Sequence, residues 1–174
     1  MVRTASLIAL TSALAIALTT PTAAADDSDP AKGAIAVVQA FNAAFGRKDV
    51  EAVVATLIEG GVQFDLRPAH ADQNAPQGLT QELTARWYGV TPILFAGTES
   101  YLRKVKVLDS KATADMATVW AEITTEMRMP KSDKSSSNSF TEVYLLVRTP
   151  KGWKIGAMID NRATDTITTG AGAN

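Results

Sequence analysis

The chain has 174 residues, a formal net charge of −1, no cysteine and a single histidine. The lack of cysteine excludes disulfides, thiolate nucleophiles and cysteine-ligated metals, and one histidine excludes sites built on several imidazoles. The small net charge gives no reason to expect nucleic-acid binding, and the sequence has no cofactor-binding motif. We therefore predict a protein with neither a cofactor nor a metal.

Residues 1–25 have the order of a secretory signal peptide. Arg3 precedes an apolar run from Leu7 to Leu18, and small residues lie just before Asp26. The run is shorter than the roughly 20 apolar residues that cross a bilayer. We predict cleavage after Ala25 and a periplasmic or secreted protein without stable membrane association. The alternative is an uncleaved N-terminal anchor.

The spacing of apolar residues predicts the elements that follow. In chain order these are a helix over 33–46, a short helix over 50–57, a strand over 62–66, a loop over 67–78, a helix over 80–94 with Thr80 as its N-cap, strands over 101–108 and 116–129 around a turn at 109–111, and a loop over 130–138. Helices before a run of antiparallel strands predict an α+β domain with the helices on one face of the sheet. We place a single domain at 26–165 and a disordered tail at 166–174.

Ser139–Arg162 predicts a closing antiparallel hairpin. A two-residue turn at Lys151-Gly152 would set Tyr144 beside Ile159 and Glu142 beside Asn161. One face would then carry the following set: Phe140, Glu142, Tyr144, Leu146, Trp153, Ile155, Ile159 and Asn161. A slip of one residue would instead bring Met158 and Asp160 opposite Glu142 and Tyr144.

The segments FNAAF, RKDVEAVV, GGVQFDLRP and EVYLLVRTPKGWKIGAMIDNR together resemble the nuclear transport factor 2-like superfamily, and within it the SnoaL-like and lumazine-binding groups. The resemblance spans residues 31–162. It implies a cystatin-like cone, a curved antiparallel sheet wrapped around three N-terminal helices and open at one end to a pocket, and a homodimer formed through the sheet. Members include isomerases, dehydratases and lyases as well as non-catalytic binding proteins, so the fold does not settle the function.

Enzymes of this superfamily place an Asp or Glu base beside Tyr or a second acid, which points to Glu142 and Tyr144 as catalytic residues. Glu126, a further catalytic candidate, and Glu122 lie on the preceding strand, and either could be the carboxylate that takes the proton in place of Glu142. A symmetric loop over 130–138 would bring Glu126 close to Glu142, and one of two such carboxyls would then have a raised pKa. The alternative is that these acids lie in solvent at the rim of the cone.

Two further candidates lie in the first half of the chain. Asp65 falls near the position where ketosteroid isomerase-like members carry their base, although Leu66-Arg67-Pro68 stands where Asp-Pro is usual in that group. If Val62 and Phe64 face the helices, strand alternation turns Asp65 outward. His70 lies in a polar loop that would cover the cone mouth, where it would shuttle protons or simply be solvated.

Aromatic side chains would form walls for a flat ligand. The predicted ligand contacts are Phe41, His70, Trp87, Tyr88, Trp120, Glu122 and Asn161. Trp87 is also compatible with an ordinary core position, and Trp120 with stacking on Arg148. Asp160 is expected on the surface, paired with Arg162.

These observations predict an exported domain that binds a small apolar or aromatic molecule. If the domain is an enzyme, we expect isomerisation, dehydration or lysis without a cofactor. A carboxylate would take a proton while Tyr144 or Tyr88 stabilises the developing oxyanion. The alternative is a non-catalytic ligand-binding or dimerisation module.

Overall fold

The computed structural model describes residues 29–65, 80–132 and 134–160. The predicted signal peptide, the predicted tail, His70 and Asn161 lie outside these ranges. What the sequence predicts for them stays a prediction.

The described residues form three helices and six strands. They are α1 (Pro30–Gly46), α2 (Val50–Ala55), β1 (Leu57–Asp65), β2 (Thr80–Glu82), α3 (Leu83–Gly97), β3 (Ser100–Ala112), β4 (Met116–Arg128), β5 (Ser135–Thr149) and β6 (Gly152–Asp160). Within these ranges, no helix combines the length and the apolar character needed to cross a membrane.

The six strands form one sheet in the order β2-β1-β6-β5-β4-β3. Neighbouring strands are antiparallel except β1 and β6, which run parallel. The helices cover one face of the sheet, with α1 against β3, β4 and β6 and α3 against β1. The predicted α+β cone is confirmed. The expectation of a wholly antiparallel sheet is wrong for one pair, because the last strand lies beside the first in the same direction.

The core lies between the helices and the face of the sheet that they cover, which we call the inner face. Phe41 and Phe45 of α1 pack edge to face against Trp87 of α3, with ring centroids 5.5 and 5.3 Å apart. The carboxylate of Asp29 caps α1 by accepting hydrogen bonds from the backbone N–H groups of Ala31 and Lys32. This cap and the aromatic packing fix α1 across the sheet.

The helix α3 begins at Leu83, three residues after the predicted start. Thr80 pairs with Phe64 in the β1–β2 ladder, and the N-cap is Glu82 rather than Thr80. The Glu82 carboxylate accepts hydrogen bonds from the backbone of Ala85, Thr84 and Gly60, in that order of effect, and they hold its pKa below the ordinary value.

The faces of β1 are the reverse of those predicted. Gln63 is 1% exposed and lies on the inner face, whereas Phe64 is 40% exposed and lies on the outer face. The apolar residue Ile159 of β6 is the partner of Phe64 in the parallel ladder. Because the outer face is also apolar here, alternation of apolar and polar residues does not indicate which face is inner.

The predicted register of the closing hairpin is wrong by two residues between the turn and Gly156 and by one residue beyond Gly156. Glu142 pairs with Asp160 and Tyr144 pairs with Met158, as in the slipped alternative, and the turn residues are Pro150-Lys151. Ile159 is not among the buried residues, whereas Met158 and Asp160 are 1% and 8% exposed. The cause is a bulge at Gly156, where the register shifts between Leu145 and Leu146 and the alternation along β6 changes phase.

The turns on either side of β4 also differ from those predicted. Residues 109–111 belong to β3, and Ser135–Asn138 belong to β5, paired with Thr125–Arg128 of β4. Glu126 consequently pairs with Ser137, five residues from Glu142 along β5. Five strand residues span about 17 Å. The expectation that Glu126 lies close to Glu142 is therefore wrong.

Candidate functional site

Four polar side chains meet on the inner face of the sheet, in the middle of the core. Arg103 comes from β3, Glu142 and Tyr144 from β5, and Asn42 from α1. Glu142 and Tyr144 are fully buried, and the side chain of Arg103 has no exposed surface. We call these four residues the polar cluster.

Hydrogen bonds connect all four members of the polar cluster. Arg103 donates from Nη2 to Glu142 Oε2 at 2.5 Å and from Nε to Asn42 Oδ1 at 2.6 Å. Asn42 Nδ2 donates to the hydroxyl of Tyr144 at 3.0 Å and to the carbonyl of Val38 at 2.8 Å. Tyr144 in turn donates to Glu142 Oε2. Every residue of the cluster is thus held in place by at least two bonds.

Three aromatic rings surround the guanidinium of Arg103. Its central carbon lies 5.0 Å from the ring centroid of Phe45, 5.7 Å from that of Phe140 and 5.8 Å from that of Phe41. Ring faces attract a cation more strongly when water is excluded. These contacts help a charged group to remain in an apolar core.

Burial and the facing carboxylate set the charge states of the cluster. Burial disfavours the charged form of Arg103, but attraction to Glu142 outweighs it and the pKa of the guanidinium is raised. Burial, followed by the negative charge of Glu142, raises the pKa of Tyr144 well above 10.0. Arg103 is therefore a cation and Tyr144 a neutral hydrogen-bond donor at any physiological pH.

Two polar atoms of the ion pair have no hydrogen-bond partner among the described residues. They are Arg103 Nη1 and Glu142 Oε1, and both are buried. The indole Nε1 of Trp87, a predicted ligand contact, is also buried and has no hydrogen-bond partner among the described residues. Buried polar groups are nearly always paired, with protein, water or a ligand. A water molecule or a polar group of a ligand would pair with these atoms.

Asp160 lies buried next to the polar cluster rather than on the surface as expected, and its expected partner Arg162 lies outside the described residues. It is directly opposite Glu142 in the β5–β6 ladder and is 8% exposed. Side chains of directly opposed residues lie on the same face with Cβ atoms about 4.5–5.5 Å apart. The one-residue error in register had placed Asn161 at this position.

The carboxylates of β4 lie on the outer face, away from the polar cluster. Glu126 forms an ion pair with Lys104 at 2.5 Å, and Glu122 lies 4.0 Å from Lys106. The side chains of both glutamates are more than a third exposed. The structure therefore does not bring the predicted acids of β4 and β5 together.

The predicted aromatic contacts divide into two groups. Phe41 and Trp87 are core residues beside the polar cluster. Tyr88 is 45% exposed and donates a hydrogen bond to Glu51, and Trp120 is 49% exposed on the outer face. The predicted stacking of Trp120 on Arg148 is wrong, because the guanidinium of Arg148 lies 5.5 Å from the ring of Trp153.

Asp65 is the last residue of β1, where its backbone pairs with that of Asp160. Asp160 is in turn the partner of Glu142, so Asp65, Asp160 and Glu142 are successive register partners on β1, β6 and β5. No group of three acidic, histidine or cysteine side chains suited to a metal ion occurs in the described part of the chain.

The sequence analysis missed two members of the polar cluster. Arg103 occupies an inward position of β3, between Tyr101 and Val105, and Asn42 lies on the apolar stripe of α1 between Phe41 and Phe45. A single polar residue on the apolar face of an element was therefore the available signal for both.

The comparisons with solved structures concern the fold. A ketosteroid isomerase-like protein from Erwinia carotovora atroseptica SCRI1043 shares 19% identity over 76% of this chain and 95% of its own, with a TM-score of 0.57. A nuclear transport factor 2-like protein with a cystatin-like fold from Novosphingobium aromaticivorans shares 13% identity over 79% and 85%, with a TM-score of 0.58. A hexachlorocyclohexane dehydrochlorinase from Novosphingobium barchaimii LL02 shares 9% identity over 80% and 91%, with a TM-score of 0.60.

Neither a protein-family model nor a curated protein sequence matches the chain. The structural likenesses show that the chain has the nuclear transport factor 2-like, cystatin-like fold, as the sequence resemblance implied. The names of the matched proteins describe those proteins, and at these identities the activities do not transfer with the fold.

Proposed function

We propose that the chain is an exported small-molecule-binding domain whose ligand contacts the polar cluster, and that the cluster performs acid–base chemistry without a cofactor. The observation that carries the proposal is the pair of unpaired buried atoms, Arg103 Nη1 and Glu142 Oε1. Proteins of this fold with isomerase-like and dehydrochlorinase names support a reaction of this class.

The chemistry follows from the charges at the two atoms. Glu142 Oε1 is an acceptor that can take a proton from a carbon next to a carbonyl group. Arg103 Nη1 is a donor that can stabilise the negative charge that then develops on the carbonyl oxygen. In an isomerisation the proton returns from Glu142 to another carbon, so the atoms balance without a co-reactant.

Tyr144 has a different part in this scheme from the one predicted. Its hydroxyl already donates to Glu142 Oε2 and accepts from Asn42. The hydroxyl thereby orients the carboxylate and leaves Oε1 as the free oxygen. We assign Tyr144 as a positioning residue for Glu142, with Arg103 as the oxyanion donor.

The proposal is tested by native mass spectrometry of the mature protein purified from its own host, before and after denaturation. We expect the wild type to release a small molecule on unfolding, and the Glu142→Gln variant to retain much less of it. Glu122→Gln is the matched control, because it makes the same change on the outer face. A wild type that carries and binds no small molecule would contradict the proposal.

A second candidate function, assembly into a homodimer, rests on the outer face. The strand register aligns Phe64, Ile159, Val143 and Trp120 in one row across β1, β6, β5 and β4. Phe64 and Trp120 are 40% and 49% exposed, and contiguous exposed apolar surface favours association. We propose that a second copy covers this row. A Trp120→Lys variant should then shift the mass measured by light scattering towards the monomer, whereas a monomeric wild type would exclude this candidate.

A further inference from the structure

We infer that the molecule bound at the polar cluster is electrically neutral and presents a hydrogen-bond acceptor and a donor side by side, as a primary amide, a lactam or an enol does. This inference rests on the proposed function and specifies the chemistry of its ligand.

The charge of the cluster favours a neutral ligand. The guanidinium of Arg103 and the carboxylate of Glu142 compensate each other at 2.5 Å, and Tyr144 stays neutral. Both ionic side chains have no exposed surface, so water does not screen a further charge. An ionised ligand group would be an uncompensated charge in the core, which is far more costly to bury than a neutral polar group.

The unpaired atoms specify the hydrogen bonds of the ligand. Guanidinium nitrogens only donate and an ionised carboxylate only accepts, so the ligand must offer an acceptor to Arg103 Nη1 and a donor to Glu142 Oε1. Since the two atoms belong to partners already joined through Nη2 and Oε2, the complementary groups must be close together on the ligand. The rings of Phe41 and Phe140 beside Arg103 suit a flat apolar body attached to these groups.

Benzamide and benzoate are a matched pair of probes for this inference. They share the aromatic ring and the carbonyl, but benzamide is neutral with an N–H donor and benzoate is an anion without one. Binding is measured by ¹H–¹⁵N chemical-shift titration of the whole mature protein, including the Nε–H resonance of Arg103. For the wild type we expect benzamide to bind at least about tenfold more tightly than benzoate.

The Glu142→Gln variant should reverse this preference. It keeps the shape of the side chain but leaves the charge of Arg103 uncompensated, so benzoate should gain affinity and benzamide should lose it. The control Glu122→Gln should keep the wild-type preference. If Glu142→Gln fails to fold, the wild-type comparison still decides the inference.

The outcomes separate this inference from the proposed function. Tighter binding of benzoate to the wild type, with shifts at Arg103, would overturn the neutral ligand class and leave the ligand site standing. Saturable binding of neither probe, with no shift at Arg103, would overturn the inference, and the absence of any co-purified molecule would then overturn the proposed function as well. Benzamide binding with shifts confined to the outer face would also refute the inference.

Discussion

The two faces of the sheet carry similar ion pairs in opposite surroundings. On the inner face Arg103 and Glu142 are fully buried and bound to Tyr144 and Asn42. On the outer face Lys104, the next residue along β3, pairs with Glu126 at the same distance of 2.5 Å, with both side chains substantially exposed.

The comparison shows that the distance between two charged atoms does not by itself determine how much their ion pair contributes to stability. In water a surface pair contributes little, because solvent screens both charges and the side chains remain mobile. In the core each charge depends on its partner, because removal of one leaves the other without solvent or counter-charge. The inner pair is therefore expected to affect stability strongly and the outer pair weakly.

Arg103→Met should have the largest effect on stability. The substitution removes the cation but keeps an apolar side chain of similar length, and it leaves Glu142 buried and unpaired. We expect a loss of about 3–5 kcal/mol in the free energy of unfolding. Urea denaturation followed by circular dichroism measures it.

The neighbouring Lys104→Met variant is the control, with an expected change of about 0–1 kcal/mol. A double variant, Arg103→Met with Glu142→Leu, should lose less stability than Arg103→Met alone, since no charge is then left unpaired. Equal losses at positions 103 and 104 would remove the distinction between the two faces.

Tyr144→Phe should have an intermediate effect. It deletes one hydroxyl that Glu142 and Asn42 both contact, and leaves those two polar groups each one partner short. We expect a loss of about 1–3 kcal/mol in the same denaturation experiment. Tyr88→Phe is the control, because it removes a tyrosine hydroxyl that lies on the surface, and it should leave the unfolding curve unchanged.

The raised pKa of Tyr144 also predicts a pH dependence. The folded protein keeps the tyrosine proton at pH values where the unfolded chain releases it. The stabilisation that the Tyr144 proton gives the folded state is therefore fully present below about pH 10. As the pH rises from there, the free energy of unfolding falls by at most about 1.4 kcal/mol per pH unit. Tyr144→Phe should flatten the fall in unfolding free energy above pH 10. An identical slope in both proteins would contradict the assignment.

The smallest effect is expected for Glu126→Gln on the outer face. Its pair with Lys104 is exposed to solvent, so the unfolding free energy should change by about 1 kcal/mol or less. Added salt should shrink even this change, whereas the effect of Arg103→Met should persist at high salt because the inner pair is not screened. Urea denaturation of the Glu126→Gln and Arg103→Met variants at low and at high salt measures both effects.

The sequence predicted the fold well because its main signals are local. The 3.6-residue periodicity of α1 and the two β-rich runs around Pro150 are set by residues close together in the chain. The resemblance to a known superfamily supplied the remaining arrangement. Of the strand directions, the one that differed from the expectation is that of β1 relative to β6, which pair across distant parts of the chain.

The site was harder to predict because it depends on register. Glu142 and Tyr144 were placed on the correct face, but their neighbours were assigned from assumed turn lengths. The hairpin turn lies one residue earlier than assumed, which shifts the partners on β6 by two residues, and the bulge at Gly156 then exchanges the faces of β6, so Asn161 was chosen in place of Asp160. The turn between β4 and β5 was misplaced further, so Glu126 was placed too close to Glu142. Arg103 was missed because its burial depends on Glu142, which lies 39 residues away.

The extra residue in β6 at Gly156 has a consequence for the composition of such a site. Downstream of it, Met158 and Asp160 face the helices, whereas an uninterrupted strand would direct Ala157 and Ile159 there. If the same residues paired with β5 without the bulge, Ile159 would stand opposite Glu142 and Asp160 would face outward. The bulge, rather than a substitution, therefore determines that an acid stands beside Glu142.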